Sequence, residues 1–139
     1  MDHSSIICSV INLVENRLKT EISYNELEKE TGFSIAYIRE IFAKKTGKTL
    51  SRYILERRIC NAAFEISHAK ENLLAIAVKY GFTSPDTFTR AFRRVIGMTP
   101  SEFRKKKIIV GRIKLCTGLY GVGFTANEML KMKGNDSDE

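Results

Sequence analysis

Leu27-Glu28-Lys29-Glu30-Thr31-Gly32-Phe33-Ser34, continued by Ile38, Phe42, Gly47, Thr49, Ser51 and Tyr53, decides the fold, because the chain repeats this pattern. The repeat reads Ile76-Ala77-Val78-Lys79-Tyr80-Gly81-Phe82-Thr83-Ser84, then Phe88, Phe92, Gly97, Thr99, Ser101 and Phe103. The offset is 49 residues before the turn and 50 after it, so the second turn carries one extra residue. Two copies are too few for a stacked solenoid, which leaves a duplicated small module. A helix, a glycine turn and a second helix are what a DNA reader needs to set one helix in a major groove. Two such units on one chain predict a protein that reads two groove segments without dimerising.

The flanking sequence predicts helices throughout. Ser23-Tyr24-Asn25-Glu26 has the form of a capping box, opening a helix of about two turns that ends at Gly32. Ser34 is placed to cap the next helix, about 35–46, with Ile38, Ile41, Phe42 and the Lys45 stem inward. Its other face carries Ala36, Tyr37, Arg39, Glu40 and Lys44, and Gly47 ends it. Residues about 50–67 predict a long bridging helix with Tyr53, Ile54, Ile59, Ala62, Ala63 and Ile66 for packing. Asn72 or Glu71 precedes a helix through about Tyr80, which Gly81 breaks. Ser84-Pro85 starts the next, to about Ile96, with Phe88, Ala91, Phe92 and Val95 inward. Thr99-Pro100-Ser101-Glu102 repeats the capping box ahead of a last basic turn ending near Lys107. On the N-terminal side, residues about 4–19 place Ile7, Val10, Ile11, Val14 and Leu18 on one stripe. The expected fold is all-α over residues 4–107, with helix-turn-helix units at about 23–47 and 72–96 joined by the helix at about 50–67.

Charge is divided in the same way. The chain of 139 residues has a formal charge of +7 and is 43% hydrophobic, enough for a core. Net charge is −3 over residues 1–33, +4 over 34–66, +6 over 67–107 and zero over 108–139. The positive charge sits on the two reading helices and on the segment just after each, as a phosphate-binding surface requires. Solvated basic faces on an ordinary helical protein would look similar, so charge alone does not decide. Cys8, Cys60 and Cys116 are far apart and, with only His3 and His68 beside them, form no recognisable zinc spacing. Three reduced thiols, no metal and no cofactor are expected. Neither a secretory n-region nor a bilayer-length apolar run is present, so the chain is expected in the cytoplasm, away from membranes.

The stretch Tyr80-Gly81-Phe82-Thr83-Ser84-Pro85-Asp86-Thr87-Phe88-Thr89-Arg90-Ala91-Phe92-Arg93-Arg94, followed by Gly97-Met98-Thr99-Pro100-Ser101-Glu102-Phe103-Arg104, resembles the signature of the AraC/XylS transcription regulators. Thr31-Gly32-Phe33-Ser34 and Phe42 to Gly47 resemble the first helix-turn-helix of that family, and the likeness covers residues of about 6–106. It implies seven helices, with two helix-turn-helix subdomains on a rigid central helix reading adjacent major grooves on one face of the duplex. It also implies a transcription regulator, an activator rather than a repressor, with RNA polymerase as a second partner. Many members carry an effector-binding domain ahead of this unit, where only a few residues stand here. The chain thus looks like the short members without an N-terminal sensor, or those with a partner domain on the C-terminal side. Ala36 and Glu40 stand where other members often present a large or basic side chain.

The residue types on the reading helices suggest roles. Arg90 is placed to bond guanine O6 and N7, while Thr87 and Thr89 suit hydrogen bonding or a thymine methyl. Pro85 and Asp86 share that face, and Asp86 has an alternative role at the positive end of the helix dipole, the preferred one. On the first helix Arg39 is the expected base reader, Ala36 suits a thymine methyl, and Glu40 either accepts from cytosine or pairs with Lys44. Lys44, Lys48, Arg52, Arg93, Arg94, Thr99 and Lys105 are expected to anchor phosphates, which positions without specifying sequence. Phe33, Phe42, Phe82, Phe88 and Phe92 are expected in the core.

The tail resists a single reading. Ile108-Ile109-Val110 and Ile113 to Cys116 are strand formers, Gly118, Gly121 and Gly123 interrupt them, and Asn127 to Met132 suits a turn or two of helix. Residues 108–139 are either the opening of a C-terminal sensor domain or a partly ordered extension of unknown role, the second being preferred. An enzyme is not expected, since the chain has no phosphate loop, no H-E-x-x-H and only two histidines. The competing class is a nonspecific architectural DNA binder, which shares the basic charge but has no need of two positioned reading helices. The expectation is one monomer on double-stranded DNA.

Overall fold

A computed structural model describes residues 2–107, and all the regular structure among them is helical. The helices are α1 (His3–Asn16), α2 (Tyr24–Thr31), α3 (Ile35–Thr46), α4 (Leu50–His68), α5 (Leu73–Lys79), α6 (Pro85–Ile96) and α7 (Pro100–Lys105). The readings of Ile108 to Glu139, Cys116 included, lie outside the described residues.

In α1, Ile6, Ile7, Val10, Ile11 and Val14 are buried on one stripe. The helix ends at Asn16 rather than near residue 19, because the Arg17 amide turns back to the Val14 carbonyl at 3.0 Å. Leu18 still reaches the core from the next turn. The expected capping box at Ser23 does not form: Ser23 precedes α2 without a side-chain cap bond, and Glu26 points instead to Arg17 at 3.5 Å. Two side chains of α3 also depart from expectation. Lys45 is exposed, not inward. Tyr37 is half-buried, its ring 5.0 Å from that of Phe33, not outward.

The two helix-turn-helix units solve one problem by different chemistry. A helix opening against its neighbour leaves amide donors that water reaches poorly. In the first unit the Ser34 hydroxyl accepts from the Tyr37 amide at 3.3 Å, and the Glu28 carboxylate of α2 accepts from the Ile35 amide at 2.8 Å. Glu28 thereby ties α2 to the start of α3. In the second unit Ala77 stands at the place of Glu28, and Pro85, which has no amide hydrogen, stands at the place of Ile35. The donor and its acceptor have been removed together. Each reading helix closes on a glycine in the left-handed region, Gly47 at φ 77° and Gly97 at φ 95°.

Helix α4 serves both halves. Leu50, Tyr53, Ile54, Ile59, Cys60, Ala62, Ala63 and Ile66 are buried along it, within one continuous apolar cluster that also holds Ile38 and Phe42 of α3 and Phe88, Phe92 and Phe103 of α6 and α7. Toward α1 its contacts are polar. The Arg57 guanidinium, 8% exposed, donates to both oxygens of Glu15 at 2.9 and 2.8 Å. Arg58 donates to the Thr20 carbonyl at 2.8 Å. Glu65 receives the Tyr80 hydroxyl and lies 3.4 Å from Lys19 and 3.5 Å from Lys79. Burial alone would raise the Glu65 pKa, but the Tyr80 hydroxyl and the two lysines outweigh it and hold the carboxyl below its ordinary range. The acid on α4 thus joins the segment between α1 and α2 to the end of α5.

Removing one member of a buried pair strands the other charge. Arg57→Ala should therefore lower stability by about 3 kcal/mol in urea denaturation. A Glu15→Gln/Arg57→Met double substitution should recover most of that loss, and a single-substitution effect within experimental error would contradict the role given to this pair.

Candidate nucleic-acid interface

Helices α3 and α6 are each 12 residues long, begin at a serine cap and end at a left-handed glycine. On α6 the inward residues Phe88, Phe92 and Ile96 recur every fourth position. The opposite stripe, Asp86, Arg90, Arg93 and Arg94, is exposed, so three guanidinium groups and one carboxylate share the outer face. Pro85 and Thr87 are exposed at its first turn, where the Thr87 amide donates to the Ser84 hydroxyl at 3.2 Å. Thr87 also donates its own hydroxyl to the Ser84 carbonyl at 3.1 Å, which orients it at the helix start. Asp86 lies in the first turn while Ser84 supplies the cap. Thr89 is half-buried and turns toward α5 and α7, lining a cavity of about 380 Å³ with Leu73, Leu74, Pro85 and Pro100.

On α3, Ala36, Arg39, Glu40 and Lys44 are exposed. The Arg39 guanidinium lies over the Tyr24 ring of α2, 4.8 Å from its centroid, and so rests along the protein surface. Among the described residues no ion pair joins Glu40 to Lys44.

The expected phosphate anchors fall into two groups. Lys44, Arg93, Arg94 and Lys105 are exposed and carry no ion pair among the described residues. Lys48 and Arg52 are both committed to Glu56, a buried carboxylate of α4, with Arg52 Nε 2.8 Å from it. The Thr99 hydroxyl is half-buried and accepts from the Glu102 amide at 3.2 Å, capping α7. Glu28, Tyr24 and Glu56 are the residues that sequence reasoning passed over. The four-residue spacing of Arg52 and Glu56 was a legible signal, whereas the reach of Glu28 and Tyr24 into α3 depends on the angle of the turn.

A sequence model described as a helix-turn-helix domain matches residues 27–106. The chain is 35% identical over 106 residues to the TetD protein of transposon Tn10 from Escherichia coli, covering 76% of this chain and 77% of that protein. It is 32% identical over 106 residues to the regulatory protein SoxS of Salmonella typhimurium, covering 76% of this chain and 99% of that one. The chain belongs to the AraC/XylS family. It is accordingly a DNA-binding transcription regulator, with the seven-helix all-α unit of that family. A regulator from Chromobacterium violaceum with an AraC-type DNA-binding domain has the same fold, with a TM-score of 0.70 at 22% identity over 74% of this chain and 92% of that one. Within this AraC/XylS unit the cap at Ser84 sets the geometry of the α6 tip. Ser84→Ala should cost about 1 kcal/mol of stability, the usual effect of losing an N-cap, measured by thermal denaturation. No change in melting temperature would show that the hydroxyl is dispensable there.

Proposed function

We propose that this protein acts as a monomer on an asymmetric DNA site, with α3 and α6 in successive major-groove segments about 34 Å apart. The observation that supports this most is the pairing of two equal, serine-capped helices with exposed outer faces on one continuous core. In this reading Ala36, Glu40, Pro85, Asp86, Thr87 and Arg90 face the bases, Arg39 and Thr89 flank them with their side chains engaged by Tyr24 and by the cavity beside α5 and α7, and Arg90 carries the strongest single contact, a bidentate bond to guanine. Lys44, Arg93, Arg94 and Lys105 anchor phosphates as free cations. Lys48, Arg52 and Thr99 belong to the same rim but act mainly through the structure they hold, since each already has an internal partner.

Its effect on transcription is activation, brought about by contact with RNA polymerase, and its place of action is the cytoplasm, where the chromosome lies. Among the described residues no helix is long and apolar enough to cross a membrane. The DNA-binding domain in this reading is residues 4–107, with its helix-turn-helix subdomains at about 23–47 and 72–96 and the linker at about 50–67; residues 108–139 are assigned to a C-terminal extension of unknown role.

Specific and architectural binding differ in how substitutions behave. Arg90→Ala should cost about 1–3 kcal/mol of binding and relax preference at one base pair. Arg94→Ala should weaken all sequences alike and lower the salt slope by about one unit. Lys48→Ala should lower that slope less, because its charge is shared with Glu56. Selection from a random duplex pool at two salt concentrations separates these outcomes, and an Arg90→Ala variant with unaltered preference would favour the architectural reading. Light scattering on the selected site should give a 1:1 complex, whereas 2:1 complexes alone would rule out a monomeric reader.

A further inference from the structure

The duplication supplies a ruler. Because α3 and α6 have equal length, the same serine cap and the same glycine end, their residues correspond one by one. The second residues are Ala36 and Asp86, the fifth Arg39 and Thr89, and the sixth Glu40 and Arg90. At the fifth place each side chain already has a neighbour: Thr89 is half-buried and lines the cavity beside α5 and α7, and the exposed Arg39 has its guanidinium over the Tyr24 ring. At the second and sixth places all four side chains are exposed, one helical turn apart on the outer stripe. A base-facing position in one unit is a base-facing position in the other.

The geometry points to Glu40, not Arg39, as the residue with which the first reading helix selects its base pair, and to cytosine as the base it selects. This rests on the direct-readout function proposed above. A carboxylate has only acceptors to offer. It is repelled by phosphates, so Glu40 has no anchoring role on DNA. In the major groove guanine presents two acceptors, N7 and O6, which a carboxylate opposes, while cytosine presents the N4 amino donor alone. Adenine offers an amino donor beside the N7 acceptor, so one of the two carboxylate oxygens is opposed there. Thymine offers an acceptor and a methyl group. Ala36, one turn before Glu40, is small enough to let the helix approach the bases closely, which a short acidic side chain needs. Lys44, one turn after it, is unpaired with Glu40, so the carboxylate keeps its acceptors and the lysine stays available to the backbone. The same place on α6 holds Arg90, which suits guanine. The two groove segments are therefore selected by opposite chemistry at equivalent positions.

The test is selection of bound duplexes from a random pool by the full chain and by Glu40→Gln, Glu40→Ala and Arg39→Ala variants. The wild-type protein should select C·G at a position about one helical turn, 10–10.5 bp, from the one governed by Arg90. Glu40→Gln should move that preference to A·T, the pair a side-chain amide reads bidentately. Glu40→Ala should flatten it, with discrimination falling about tenfold, and Arg39→Ala should keep the same preferred base at weaker affinity. A C·G preference that survives both Glu40 substitutions, or one that Arg39→Ala alone abolishes, would overturn the assignment while leaving readout by Arg90 intact. Absence of preference in both segments, unaffected by Arg90→Ala, would instead overturn direct readout as a whole.

Discussion

The bidentate bond from Arg57 to Glu15, with the Glu65 cluster two turns further along α4, is the constraint on which the remaining geometry depends. Two helices that enter successive grooves, as proposed for α3 and α6, tolerate little error in their mutual angle, since a displacement of one ångström moves a side chain out of hydrogen-bond reach of a base edge. An apolar contact alone fixes distance better than rotation. The fork of a guanidinium on a carboxylate fixes both, because its two parallel bonds set direction as well as separation. Arg57 fixes α4 to α1, and Glu65 of α4 ties the segment between α1 and α2, through Lys19, to Tyr80 and Lys79 at the end of α5. The shared apolar cluster supplies cohesion, and these polar bonds supply orientation.

Within each unit the same logic works on a smaller scale, and the two copies show that the solution is not unique. Glu28 on the Ile35 amide and Pro85 without an amide lead to helices of the same length and the same closing glycine. What is held constant is the satisfied helix start and the buried aromatic stripe, Phe42 in one copy and Phe88 and Phe92 in the other. What varies is the outer face. That division lets the outer residues change without disturbing the fold, and the difference between Glu40 and Arg90 is its most informative case.

Much of this was legible in the sequence because the determinants are local. Gly47, Gly97 and the Ser84-Pro85 pair specify helix boundaries within a few residues, and the apolar period places Phe88 and Phe92 inward. Reading failed where a side chain chooses between a local and a distant partner. Ser23 has the spacing of a capping box, but Glu26 meets Arg17 instead. Tyr37 has the period of an outward residue, but Phe33 from the turn offers it a ring to pack on. The Tyr24 ring beneath Arg39 was likewise not legible, since only the packing of α2 against α3 brings it there. Periodicity orders residues around one helix axis and carries no information on what the neighbouring helix presents.

The same distinction bears on how the basic charge is used. A count over residues 34–66 gives +4 and makes the first unit look nearly as cationic as the second. In the fold, Lys48 and Arg52 neutralise Glu56, Arg57 neutralises Glu15, and Arg39 lies on Tyr24, which leaves Lys44 and Lys45, both in the last turn of α3, as its exposed cations without an ion pair among the described residues, with the acidic Glu40 on the same helix. The outer face of α6 keeps Arg90, Arg93 and Arg94 unpaired against a single Asp86. Nonspecific attraction to a duplex scales with free cations near phosphates, so with α3 and α6 on DNA as proposed it would be concentrated on the second unit. On the readout proposed above, a reader built this way is drawn to DNA mainly by one helix and discriminates with both. If Glu40 reads as proposed, the acid on α3 lowers affinity for every sequence, but least where a cytosine amino group meets it, so the unit that contributes less to attraction contributes to selectivity by penalising the wrong base.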